Sequence, residues 1–268
     1  MQDLTVTFIQ SNLVWNDFRA NLLTFSEKLN AVSEKTDLVV LPEMFNTAFV
    51  VEPETVDKEA AHISLDWMIR NAQKYDTAIC GSMIVNEEGN YYNRFYWVEP
   101  NGNIQKYDKR HLFTLGNEHL KITAGQENII IEYKGWKIKP LVCYDLRFPV
   151  WAKNTYANGQ YEYDLLIYVA NWPAARNYAW KSLLVARAIE NQAYVVGVNR
   201  IGPDANGTKH TGFSSIIEPK GELISEEVEN IESSQTISLS AVDMNTYREK
   251  FTIGIDWDEF SVKKNKPD

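Results

Sequence analysis

Two cysteines are present in the chain, Cys80 and Cys143, and their surroundings differ. Cys80 lies inside an apolar run and reads as a buried thiol. Cys143 stands where the apolar segment 138–142 gives way to Tyr-Asp-Leu-Arg-Phe-Pro. The carboxyl end of a strand followed by a tight turn is where loops converge on a cleft. A helix beginning there adds partial positive charge that favours a thiolate. Cys143 is therefore a candidate nucleophile, in competition with a second buried thiol.

A nucleophilic thiol needs a proton acceptor. Glu43 ends the run Asp-Leu-Val-Val-Leu-Pro-Glu, so it too stands at a strand exit, and partial burial beside Met44 and Phe45 would raise its pKa toward the range of a general base. Lys109, in Ile-Gln-Lys-Tyr-Asp-Lys-Arg-His, is either a solvated lysine or an ammonium that faces the thiol and holds charge on an oxyanion. Glu118 is by itself indistinguishable from a surface acid. The histidines are His62, His111, His119 and His210, and a Cys–His pair using His111 or His119 stays open. Asp145 and Arg147 read first as ion pairs holding the turn after Cys143, with direct substrate contact as the second role of Arg147. Phe45 and Trp172 are expected to wall a pocket, although core packing suits an aromatic at a strand exit nearly as well.

These groups need a scaffold. Strand-like runs recur at 4–10, 38–41, 77–85, 95–99, 129–133, 138–143, 165–170, 194–199, 213–217 and 236–242. Several are almost wholly apolar, as central strands covered on both faces are. Helical spacing of apolar residues spans 16–33, 57–75 and 178–190, which makes the chain α/β. Glu-Glu-Gly-Asn near 88 and Pro-Asn-Gly-Asn near 101 read as turns between neighbouring strands, as does Pro-Lys-Gly near 220, so part of the sheet must be antiparallel. No linker or repeat divides residues 1–268. The expectation is one domain with a short C-terminal arm from about 251, whose closing Lys-Lys-Asn-Lys-Pro-Asp frays.

With 36 acidic against 27 basic residues and no basic cluster, nucleic acid is excluded as a partner. No segment approaches the roughly 20 apolar residues of a spanning helix, and no basic leader precedes an apolar one, so a cytoplasmic protein that binds no membrane is expected. The cysteine and histidine spacing matches no zinc site.

The chain resembles the nitrilase superfamily of carbon-nitrogen hydrolases from Thr-Val-Thr-Phe-Ile-Gln to about Asp-Trp-Asp-Glu-Phe. Three segments carry the resemblance: Leu-Val-Val-Leu-Pro-Glu-Met-Phe, Tyr-Asp-Lys-Arg-His-Leu-Phe and Leu-Val-Cys-Tyr-Asp-Leu-Arg-Phe-Pro-Val-Trp-Ala-Lys-Asn. The resemblance implies a four-layer α-β-β-α sandwich of two mixed sheets and a homodimer paired through the helices that follow the Cys143 strand and the Val-Ala-Asn-Trp-Pro strand. It implies a catalytic triad of Glu43, Lys109 and Cys143, with Glu118 as a second glutamate and Glu127 as its competitor. No cofactor or metal is implied. In the implied reaction Cys143 attacks an amide carbon, Glu43 moves the proton, Lys109 and the Tyr144 N–H hold the oxyanion, and water releases the acid from a thioester.

Within the superfamily the sequence is similar to the bacterial omega-amidases, which hydrolyse the terminal amide of 2-oxoglutaramate or 2-oxosuccinamate. Such a substrate bears a carboxylate, so its pocket needs a cation or convergent donors. Arg110, Arg147, Arg176 and Tyr178 are the candidates. Another linear amidase, an N-carbamoyl amine hydrolase, a nitrilase and a non-enzymatic scaffold are the alternatives.

Overall fold

A computed structural model describes residues 1–263. In chain order its first sheet takes β1 (Leu4–Gln10), β2 (Leu38–Val40), β3 (Ala78–Glu87), β4 (Asn90–Val98) and β5 (Ile104–Asp108). The second takes β6 (Ile131–Tyr133), β7 (Trp136–Val142), β10 (Leu165–Ala170), β11 (Tyr194–Asn199) and β14 (Ser215–Ile217). Small hairpins β8 (Tyr156–Ala157) with β9 (Gln160–Tyr161), and β12 (Ile201–Pro203) with β13 (Lys209–Thr211), lie outside both. The last strand, β15 (Ser233–Leu239), returns to pair with β1, giving the first sheet the order β15-β1-β2-β3-β4-β5; the second reads β14-β11-β10-β7-β6.

Both sheets are mixed. β1, β2 and β3 are parallel, as are β7, β10 and β11, while the flanking pairs are antiparallel. The turn at Glu88 and Gly89 closes the β3–β4 hairpin, with both residues at positive φ, as a tight two-residue connection requires.

Side-chain alternation builds the layers. Leu4, Val6, Phe8, Leu38, Val40, Phe95 and Trp97 face the second sheet, while Ile9, Val39, Leu41, Ile79 and Val98 face helices α1 (Phe18–Ala31) and α2 (Ala60–Tyr75). β10 is buried throughout, because its far side is covered by Trp180, Leu184 and Ala188 of α4 (Asn177–Asn191). The result is the α-β-β-α sandwich. Helix α1 begins one residue after its N-cap Asp17, whose carboxylate accepts from the Ala20 N–H at 3.0 Å.

Four expectations need correction. The run at 138–143 stops at Val142, and Cys143 opens a 3-10 turn, Cys143–Arg147, that leads into the short α3 (Pro149–Ala152). β4 begins five residues before 95: residues 90–92 are exposed or half-buried and the buried Asn93 and Arg94 are polar, so no apolar pattern marks its start. β5 carries only one buried residue, Tyr107, and escaped notice for that reason. The run at 236–242 passes through a helix start: β15 ends at Leu239, and Ser240 caps α5 (Ala241–Lys250), its Oγ accepting from the Asp243 N–H at 3.1 Å. After α5, Trp257 packs edge-on against Tyr161 and lies under the Lys153 ammonium. The fraying expected at the terminus concerns residues of which 264–268 lie outside those described.

Gly125 ties β5 to the loop beyond it: its N–H donates to the Lys109 carbonyl at 2.9 Å, and a Cβ there would sit 2.0 Å from the Asp108 carbonyl oxygen. That oxygen is backbone and cannot swing away. Gly125→Ala is expected to cost about 1–3 kcal/mol and to lower the thermal midpoint by several degrees; an unchanged melting curve would refute this contact.

Candidate active site

The carboxyl ends of the parallel strands meet at one place. Glu43 comes from the loop after β2, Lys109 follows β5, Cys143 follows β7, and Asn171 follows β10. The first two belong to one sheet and the last two to the other, so docking of the sheets assembles the site. Asn171 spans the seam: its N–H donates to Glu43 Oε2 at 2.8 Å and its Nδ2 to the Glu43 carbonyl at 2.6 Å.

Lys109 is enclosed by two acids. Its Nζ lies 2.9 Å from Glu43 Oε1 and 2.9 Å from Glu118 Oε2, and the side chains of all three have no exposure. Glu118 also accepts from the Phe113 N–H at 2.7 Å. A 3-10 turn, Glu118–Leu120, carries it inward, whereas Glu127 is exposed; the second glutamate of the cluster is therefore Glu118. Burial works against the Lys109 charge, but Glu118 and Glu43 outweigh it and hold the ammonium above its ordinary range. Burial, with the neighbouring charge of Glu43, raises the Glu118 pKa despite Lys109.

Cys143 has φ 47°, in the left-handed region that non-glycine residues rarely occupy. Asp145 stabilises this bend. Its Oδ2 accepts from the Val142 N–H at 3.0 Å and from the Tyr107 hydroxyl at 2.8 Å, and its Oδ1 takes the His111 N–H at 3.0 Å with His111 Nδ1 at 2.8 Å. From the other side, Arg187 of α4 donates to the Leu146 carbonyl at 2.6 Å.

The thiol pKa stands well above its ordinary value, first because of burial, then because Glu43 is anionic beside it and hydrogen-bonded to it; Lys109 opposes the shift but does not reverse it. This corrects the expectation that the following helix start would favour a thiolate: the turn is one short 3-10 segment, and burial with an adjacent carboxylate outweighs its dipole. Glu43, too, sits among Lys109, Asn93 and Asn171 rather than in partial burial beside apolar groups.

The sulfur opens into a cavity of about 320 Å³, lined among others by Phe49, Lys109, Phe113, Tyr144, Arg147 and Trp172. Arg176 also lines it. The Arg147 guanidinium lies 4.9 Å over Trp172, and that of Arg176 lies 5.3 Å over Phe113. Among the described residues neither has a carboxylate partner, so Arg147 makes none of the ion pairs expected to hold the turn, whereas Asp145 does hold it, through Val142, Tyr107 and His111. Trp172 serves both readings, as cavity wall and as a core residue 5.5 Å from Trp180.

Phe45 is not a wall. It is wholly buried between the first sheet and its helices, against Phe25 and Trp67; because Met44 adopts positive φ, the chain turns and it is Phe49, four residues on, that reaches the cavity. Arg110 turns away to Gln126 and lies over Trp151, and Tyr178 is exposed and absent from the lining. Neither histidine of the alternative serves the thiol: His111 is held by Asp145 and stacked on Phe148 at 3.7 Å, and His119 is exposed. His210 does line the cavity, where burial, with Arg200 close by, lowers its pKa to about 4 and keeps it neutral. Asn93 and Asn171, both in hydrogen-bond contact with Glu43, had no signal in composition or charge.

A carbon-nitrogen hydrolase profile matches residues 5–250. Omega-amidase YafV of Escherichia coli (strain K12) is 45% identical over 262 residues, 98% of this chain and 100% of that one. The 2-oxoglutaramate amidase of Bacillus subtilis (strain 168) is 33% identical, covering 83% of this chain and 85% of its own. The crystal structure of XC1258 from Xanthomonas campestris, a CN-hydrolase superfamily protein with an arsenic adduct in its active site, superposes with a TM-score of 0.95 at 39% identity, covering 98% of this chain and 100% of that one.

Because its pKa is raised, the Cys143 thiol is expected to stay protonated as pH passes through the ordinary cysteine range near 8.5. Thiolate ultraviolet absorbance recorded during a pH titration of the native chain checks this; a full cysteine transition below that pH would contradict it.

Proposed function

As the chain belongs to the carbon-nitrogen hydrolase family, we propose that it is a cysteine-dependent omega-amidase, hydrolysing the terminal amide of small 2-oxo acid amides such as 2-oxoglutaramate and 2-oxosuccinamate. The observation that carries this reading is the cavity itself. At one end the buried Glu43, Lys109 and Glu118 meet the Cys143 thiol, and two guanidiniums, without acid partners among the described residues, line the remaining space.

In the proposed reaction Cys143 is the nucleophile and Glu43 the base. Among the described residues Glu43 Oε1 receives the nitrogens of Lys109 and Asn93, while Oε2 receives one, the Asn171 N–H, which leaves Oε2 the oxygen with more room for the thiol proton. As sulfur bonds to the amide carbon, that proton passes to Glu43 and the carbonyl π electrons move to oxygen. The oxyanion is held by the Lys109 ammonium and the Tyr144 N–H, each such donor contributing roughly 3 kcal/mol in the transition state. Collapse breaks the C–N bond, and the Glu43 proton leaves with ammonia. Glu43, ionised again, takes a proton from water as the hydroxide oxygen attacks the thioester; loss of the thiolate, reprotonated by Glu43, frees the carboxylic acid. Glu118 neutralises and orients Lys109 throughout.

Arg147 and Arg176 are assigned to the substrate's carboxylate and 2-oxo group. Each guanidinium is stacked on an aromatic ring, which orients it without spending its hydrogen-bond donors. Phe113, Tyr144 and Trp172 wall the short carbon chain between the two ends.

We place the protein in the cytoplasm as a homodimer of one hydrolase domain each, paired through α3 and α4 with the segment from about 251 as an arm across the interface. Val150 on α3 and Tyr178 and Ile189 on α4 are exposed apolar residues on those helices. Among the described residues no helix is long and apolar enough to cross a membrane. Sedimentation velocity on the intact chain tests the pairing, a monomer at micromolar concentration being the contrary result.

The activity is tested by ammonia release from 2-oxoglutaramate, from an N-carbamoyl amine and from a simple nitrile. The amide is expected to be preferred and Cys143→Ala to abolish its turnover; turnover by the alanine variant would remove the nucleophile. Arg147→Leu and Arg176→Leu should raise KM for the anionic amide by about tenfold or more while leaving an uncharged amide of the same length little affected, about 1.5–3 kcal/mol being typical of a charged hydrogen bond.

A further inference from the structure

Asn93, on β4, is completely buried against the charged cluster, yet the reaction above assigns it no step. Its Nδ2 donates to Glu43 Oε1 at 2.8 Å and to Glu118 Oε1 at 3.3 Å. Its backbone carbonyl accepts the Lys109 N–H at 3.0 Å. One residue thus touches both carboxylates and, through the main chain only, the backbone of the lysine that stands between them.

Its remaining polar atom argues against a role in packing alone. Asn93 Oδ1 is buried and has no hydrogen-bond partner among the described residues. Turning the amide over would relieve nothing, because the oxygen would then face two carboxylate oxygens; the neighbours fix the orientation. Leucine has the same branch at Cγ, though its methyls are bulkier, and leaves no orphaned oxygen. The amide is retained at a cost, and what it supplies is the shared N–H donor.

The need for such a donor follows from the charges. Two carboxylates in one buried site favour binding a proton between them, since like charges at this range oppose double ionisation. Lys109 counters that repulsion from one side. Nδ2 lies against the Oε1 atoms of both acids and adds positive potential without adding a charge.

We infer that Asn93 is a positioning residue that keeps Glu43 and Glu118 ionised together, so that Glu43 is available as a base over the working pH range. The inference rests on the amidase reading of this site. The groups facing the two carboxylates are Lys109 after β5, Cys143 after β7, the Phe113 N–H, and the uncharged Asn171 after β10; Arg147, Arg176, Asp204 and His210 also line the cavity. With the amide removed, the pair takes up a proton at higher pH, and the acid limb of the activity profile moves upward.

Asn93→Leu and Asn93→Asp test this, with two readouts: kcat and KM for the amide against pH, and the rate at which iodoacetamide alkylates Cys143 against pH, which needs no turnover. Asn93→Leu is expected to move the acid limb of both profiles up by about one pH unit and to lower kcat about tenfold at neutral pH, with KM changed much less. Asn93→Asp, which keeps the shape but adds a third carboxylate, should move the limb further. In a Glu118→Gln background the shift caused by Asn93→Leu in the alkylation profile should shrink without vanishing, because the second acid no longer repels Glu43 while the Nδ2 bond to Glu43 is still lost. A limb that stays in place while rates fall equally at every pH would overturn the inference, as would a shift of undiminished size with Glu118→Gln. Should Asn93→Leu fail to fold, the isosteric aspartate decides by the same limb. If the native chain releases no ammonia from any amide but its alkylation limb still shifts, the reaction assignment fails and the role of Asn93 stands.

Discussion

Everything at this site depends on Lys109 being held between two buried carboxylates. Removing three ions from water costs several kcal/mol each unless their hydrogen bonds are restored inside. Here Glu43 receives Lys109, Asn93 and the Asn171 N–H, and Glu118 receives Lys109, Asn93 and the Phe113 N–H. Burial first, and then the adjacent Glu43, keep the neighbouring thiol protonated against the opposing pull of Lys109. A resting thiolate is disfavoured for the same reason that a base is at hand: the carboxylate that suppresses ionisation is the one hydrogen-bonded to the thiol.

The fold supplies this arrangement by ending parallel strands at a common edge. β2, β7 and β10 each deliver one member from their carboxyl ends, and the antiparallel β4–β5 pair delivers Asn93 and Lys109 from the flank. Arg94, next to Asn93, pairs with Asp108, next to Lys109, at 2.6 Å on the opposite side of the strands, so the register that places one pair also places the other. Gly125 and Asp145 serve the same end through backbone contacts, one beneath Lys109 and one beneath Cys143.

Much of this was legible in the residues. Apolar runs such as Leu165–Ala170 and Tyr194–Asn199 match the observed strands, because strands covered on both sides leave a nearly unbroken hydrophobic signature. Glu43 and Cys143 stood out by interrupting such runs. β5 and α5 did not, for one offers a single buried residue and the other an almost polar helix whose clearest mark is its Ser240 cap. Glu118 was marked only by the family resemblance, and Asn93 by nothing, for a different reason. Their chemistry comes from partners far along the chain, and an acid in a polar loop or an amide in a strand looks alike whether or not a charge waits across the fold. Phe45 shows the converse: adjacency to Glu43 suggested the pocket, but one left-handed residue, Met44, rotated it into the core.

The bond from the Asn171 backbone to Glu43 crosses from one sheet to the other. Neither half of the sandwich contains a complete reaction centre, and the apolar seam between Phe8, Trp97, Leu141 and Val169 sets the registry of the groups that must meet. Slippage of the halves by a single ångström would leave every strand intact while parting sulfur from base, so chemistry here is a finer gauge of interior alignment than any measure of secondary structure.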